Sequence, residues 1–93
     1  MRGIGKAALN EWKHPYVVEL EAAYDGLDIK LSRQIVLFHE SRYVQPQYGR
    51  TIVSQRGLIC RWCFSELSIA HDFIEQFGGR FRKARADSGH LEP

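Results

Sequence analysis

From residue 15 to residue 42 the apolar positions of the chain recur at helical spacing. Pro15 suits a first helical turn, Tyr16, Val17, Leu20, Ala23 and Tyr24 follow in step, and Asp25-Gly26 supplies a stop, so a helix is predicted over 15–24. Asp28 then caps a second predicted helix, 28–42, whose apolar stripe is Leu31, Ile35 and Phe38 with Val36 and His39 beside it. Its opposite face carries Lys30, Arg33, Gln34 and Arg42, and Pro46 bars any continuation.

After Pro46 the rhythm changes. "YGRTIVS", Gln55-Arg56-Gly57 and "LICRWCF" read as a β-hairpin with glycine in the turn. Ser65 is the natural cap of a third helix, in which Ala70, Phe73, Ile74 and Phe77 make one apolar face before Gly78-Gly79 ends it. "RFRKA" is a short third strand, expected to run parallel to the strand before that helix through a right-handed crossover. Residues 1–13 show no strong periodicity and the tail 87–93 is polar, so both ends are expected to be loosely ordered.

These elements describe one small α+β domain over residues 1–93, with two N-terminal helices, a β-hairpin, a C-terminal helix and a short third strand. Leu31, Ile35, Phe38, Ile52, Trp62, Phe64, Ala70, Phe73, Ile74 and Phe77 are its expected core. At 93 residues, 44% hydrophobic and 26% charged, the chain has the balance of a globular domain with room for a surface site rather than a deep active site. No apolar run approaches the ~20 residues that a bilayer span requires, and no secretory leader is legible. Two cysteines do not make a disulfide framework, so a cytoplasmic protein with reduced thiols is expected.

Charge alters this picture more than composition does. The formal net charge of +2 divides into −2 over residues 1–28, +6 over 29–86 and −2 over 87–93. The basic stretch is mostly arginine, whose planar fork suits phosphate, carboxylate and aromatic rings. Arg50, Arg56 and Arg61 lie on or beside the hairpin, near Tyr43, Tyr48 and Trp62, an interleaving of cations and rings that can hold an anionic macromolecule.

Cys60-Arg61-Trp62-Cys63 raises thiol chemistry. In a regular strand, Leu58, Cys60, Trp62 and Phe64 share one face while Ile59, Arg61 and Cys63 share the other, which turns the two sulfurs apart. A zinc site would recruit Cys60 and Cys63 with two of His14, His39, His71 and His90, His71 being the nearest in spacing, but no second paired motif accompanies them. The serines lack a nucleophile-elbow pattern, no glycine-rich phosphate loop follows a strand, and His39 falls close to an apolar stripe. A catalytic role is therefore not expected, nor is a cofactor.

The pieces "RQIVLFHESR", "YGRTI" and "RWCFSELSIAHDFIEQFGG", within residues 33–79, resemble a pattern in short alphaproteobacterial proteins of no known activity. That resemblance implies a small bacterial cytosolic protein and carries no site residues. The residues themselves point to a non-enzymatic binding or regulatory domain that acts through Lys30, Arg33, Arg42, Tyr43, Tyr48, Arg50, Arg56 and Arg61. Its partner is expected to be a protein, a second copy included. The alternatives are nucleic acid, with 15–24 and 28–42 as a winged helix-turn-helix and the hairpin as its wing, and third a thiol or zinc protein.

Overall fold

A computed structural model describes residues 5–83. Its elements are α1 (Lys6–Lys13), β1 (Tyr16–Ala22), α2 (Ile29–Ser41), β2 (Gln47–Tyr48), β3 (Ile52–Val53), β4 (Leu58–Phe64), α3 (Leu67–Phe77) and β5 (Arg80–Lys83). All strand pairs are antiparallel, in the order β2-β4-β1-β5, and β3 pairs with β4 on the same side as β2. The α+β class is as expected. No helix among the described residues is long and apolar enough to cross a membrane.

The first half of the chain departs from the sequence reading in two places. Residues 16–22, expected to be helical, form the central strand β1, and residues 6–13, expected to be loose, form α1. Asp25-Gly26 does make the predicted turn, with the Gly26 N–H donating to Ala23 O at 2.9 Å. Asp28 caps α2 as expected, its carboxylate accepting from the Leu31 N–H at 3.1 Å. Ser65 does not cap α3. The residue at that cap is Glu66, without a side-chain bond, while Ser65 Oγ lies 2.5 Å from His14 Nδ1 and ties the α1–β1 link to the β4–α3 corner.

β5 forms where a third strand was predicted. It runs in the same direction as β4, because both are antiparallel to β1, but β1 lies between them. With β2 and β3 counted as one interrupted strand, β1 to β5 give β-α-β-β-α-β with the spatial order second, third, first, fourth. That is the split β-α-β arrangement of ferredoxin-like folds, to which α1 is an addition.

The core lies between the sheet and the α2–α3 layer. Val18, Leu20, Ile35, Phe38, Trp62, Phe64, Ala70 and Phe73 are buried there, with Tyr16, Leu31, Cys60, Ile74 and Phe77 packed against them. His39 joins this core. It is 1% exposed, stacks on Phe64 at 5.5 Å, and donates from Nδ1 to the Ile35 carbonyl, while Nε2 is buried without a partner. Ile52 was assigned to the core and is not there: it is 38% exposed, because β3 is at the sheet edge and Ile52 projects from the face opposite Trp62.

Gly57 is fixed by a close approach to the backbone. Gly57 closes the hairpin at φ +154°, and a Cβ there would meet the Ala22 carbonyl oxygen at 2.2 Å. Gly57→Ala is expected to cost roughly 1–3 kcal/mol in stability, seen as a lower urea midpoint with unchanged slope. An unchanged midpoint would mean that the hairpin turn gives way freely.

Candidate binding surface

The second face of the sheet holds an ionic cluster. Strand alternation puts Val17 and Glu19 of β1 beside Cys63 and Arg61 of β4 on this face, which α1 partly covers. Arg61 is 6% exposed and Glu11 of α1 is 5% exposed. Arg61 Nη1 donates to Glu11 Oε2 at 3.0 Å and Arg61 Nε to Glu19 Oε2 at 2.9 Å. Arg50 completes the set, its Nη2 donating to Glu11 Oε1 at 2.8 Å and its backbone N–H to Glu11 Oε2 at 2.7 Å.

A β-bulge makes that last bond available. Gln47 and Tyr48 pair with Cys63 and Trp62, whereas Ile52 and Val53 pair with Ile59 and Leu58. Residues 49–51 therefore stand opposite only Cys60 and Arg61, one residue in excess. The Arg50 N–H points off the ladder, and Glu11 accepts it. Gly49 is required here, since a Cβ would meet Glu11 Oε2 at 2.7 Å and Arg61 Cβ at 3.0 Å. Asn10 Nδ2 adds a bond to Tyr48 O at 2.9 Å, so α1 is fastened to the bulge by two adjacent side chains. Burial alone would raise the Glu11 carboxyl, but the Arg50 side chain and N–H and the Arg61 guanidinium outweigh it and hold the pKa lowered to about 2.

This corrects the role expected of Arg61, which is a buried ion-pair partner and not an accessible anchor. The remaining predicted residues do not converge on one basic face. Lys30 and Arg33 are exposed on the first half of α2. Arg42, at its end, lays its guanidinium over Phe38 at 3.9 Å and pairs with Asp72 at 3.5 Å. Arg50 is exposed but engaged by Glu11, and Arg56 projects from the hairpin turn. Tyr43, at φ 56°, is 96% exposed, and Tyr48 is exposed beside Trp62.

The premises of the two alternatives are not met either. A helix-turn-helix needs a helix where β1 lies. The sheet face opposite α2 and α3, which aromatic rings would have to line for base stacking, bears Val17, Glu19, Arg61 and Cys63 instead. Cys60 and Cys63 are free thiols on opposite faces of β4. Burial raises the Cys60 thiol, and burial with the nearby Glu11 pushes Cys63 up to about 12, the reverse of what a nucleophilic or metal-binding thiolate needs. His71 is exposed against Phe81, and no group of three metal-ligating side chains occurs among the described residues.

What sequence reasoning missed is an apolar edge. Tyr48 and Val53 project from the same face as α2 and α3, since they pair with Trp62 and Leu58, and Ile52 projects from the other. α3 contacts β1, β4 and β5, and the α2–α3 groove is lined by Gln34, Leu37 and Ser41 of α2. The opposite flank of α2, which includes Ile29 and Val36 seven residues apart, is thus turned toward the β2–β3 side. Ile29, Val36, Tyr48 and Val53 are exposed on this side, Ile52 is exposed at the same edge on the opposite face, and Tyr43 is exposed in the α2–β2 loop. The legible signal was "TIVSQ", five uncharged residues between Arg50 and Arg56.

No protein-family model, curated protein or solved structure matches this chain, so the fold and this edge stand on the geometry alone.

Proposed function

We propose that this is a non-enzymatic bacterial binding or regulatory protein of the cytoplasm that acts by contact with a protein partner. The observation that carries the reading is the exposed apolar edge at β2–β3: Ile29 and Val36 of α2 with Tyr48 and Val53 on one face of the sheet, and Ile52 on the other. Such an edge is what a partner covers, and Arg50 and Arg56 flank it as polar rim. The raised pKa values of the half-buried Cys60 and buried Cys63 and the internal pairing of Arg61 argue against chemistry or anion capture as the main activity.

The test is affinity capture from bacterial lysate with immobilised wild type and a Tyr48→Ala/Val53→Lys variant. Partners recovered by the wild type and lost in the variant are the expected result. Equal recovery by both would remove the apolar edge from the binding surface.

A further inference from the structure

We infer that the occupant of the apolar edge is a second copy of this chain, joined through β3 in an antiparallel register centred on Ile52; this rests on the protein-contact reading above and names its partner. The sheet has two outer edges, and charge treats them differently. β5 is Arg80-Phe81-Arg82-Lys83. A two-fold pairing of β5 with itself centred on Phe81 sets Arg80 opposite Arg82, and one centred on Arg82 sets that arginine against its own copy. That edge is guarded against self-pairing in the usual way, by cations. Residues 51–55 carry no charge, and Val53 is 72% exposed.

Backbone direction narrows the register. The Ser54 N–H donates to Gly57 O at 2.7 Å, toward the hairpin partner, so alternation turns the N–H and C=O of Thr51 and Val53 to the open side. A two-fold axis normal to the sheet keeps each side chain on its own face, so one residue must pair with its own counterpart. Centring on Thr51 would require the Gly49 N–H to reach the second copy, but it donates to Arg61 O at 3.0 Å. Centring on Val53 sets Arg50 against Arg56, a like-charge pair.

Centring on Ile52 avoids both faults. Thr51 and the second copy's Val53 then exchange backbone bonds, twice by symmetry. Ile52 meets its counterpart in the close, non-hydrogen-bonded position, and Arg50 faces Ser54. The same axis brings the two α2 flanks together antiparallel, covering Ile29 and Val36. Arg33 in one half of α2 and Glu40 in the other then lie against opposite charges.

Sedimentation of the full chain tests the pairing, and cysteines introduced one at a time beside the native Cys60 and Cys63 test the register. The wild type is expected at twice the chain mass, and Val53→Lys, an exposed position that leaves folding untouched, should weaken self-association by at least about tenfold. Ile52→Cys should cross-link to itself under mild oxidation, because Cα atoms in such a pair stand about 4.5 Å apart, and peptide mapping should find the 52–52 bond. Val53→Cys should cross-link far less. A wild type that stays monomeric up to about 100 μM, well above a micromolar Kd, overturns the inference. Cross-linking through Val53→Cys in preference to Ile52→Cys overturns the register. A monomer that still loses captured partners in the Tyr48→Ala/Val53→Lys variant sinks the self-pairing and leaves the protein-contact reading standing; a monomer whose captured partners survive in that variant sinks both.

Discussion

Phe73→Ala is expected to lower stability by about 3–5 kcal/mol, which in a domain of this size removes most or all of it. Phe73 is fully buried, and its ring centroid lies 5.4 Å from those of Phe38 and Trp62, 5.6 Å from Phe64 and 4.9 Å from Phe77. Those four rings come from α2, β4 and α3 itself, so truncation opens a void where the two helices and the sheet meet. Neighbours that could collapse into it are themselves rings held edge to face, which limits relaxation. The measurement is a urea titration followed by tryptophan emission, since Trp62 sits against the lost ring. Phe81→Ala is the control, an exposed edge-strand ring, with an expected loss of roughly 1 kcal/mol or less. Comparable losses in the two variants would mean that the α2–α3–β4 cluster is not the principal core.

The second half of this fold is legible in the sequence and the first half is not, for physical reasons. Phe73, Phe64 and Trp62 stand out because α3 and β4 each bury a regular face against the same layer. β1 hides its nature because Val17 and Val18 are both buried, one toward α1 and one toward α2 and α3. Apolar residues at consecutive positions erase the period of two, and Leu20, Ala23 and Tyr24 then complete a false helical repeat. α1 hides for the opposite reason: its one buried residue is Glu11, so it has no apolar stripe to read.

The candidate surface divides in the same way. The exposed arginines of α2 and the hairpin are where the sequence put them, but the fate of Arg61 depends on Glu11 and Glu19, separated from it by 50 and 42 residues. No local pattern reports a pairing of that range. The bulge at 49–51 is equally silent, being a relation between two registers. The apolar edge appears only when β3 is known to be the outermost strand, since "TIVS" in a central strand would be core.

Glu11→Ala is expected to cost about 3–5 kcal/mol, because it strands Arg61 in a site from which water is excluded and leaves the Arg50 N–H at the bulge without its acceptor. Glu19 still accepts from Arg61 Nε, which keeps the loss toward the lower end. Glu11→Gln separates charge from shape, since its amide oxygen in place of Oε2 can keep the Arg61 Nη1 and Arg50 N–H donors while the Arg50 Nη2 bond is lost, and should cost less. The acid limb of stability identifies the carboxylate itself. A group held below its ordinary pKa stabilises the fold above the unfolded value, and that contribution is lost as pH falls through the folded one. For Glu11 the loss runs from 4.5 down to about 2 and corresponds to on the order of 3 kcal/mol. His39 is also lowered, by burial first and then by Arg42 against the Ile35 bond, so its contribution begins to fall below pH 6.5, ahead of Glu11. Wild-type stability plotted against pH should therefore descend in two stages, and Glu11→Gln should abolish only the lower one. A Glu11→Gln curve that merely runs parallel to wild type would show the carboxylate's charge to be immaterial to the hold on α1.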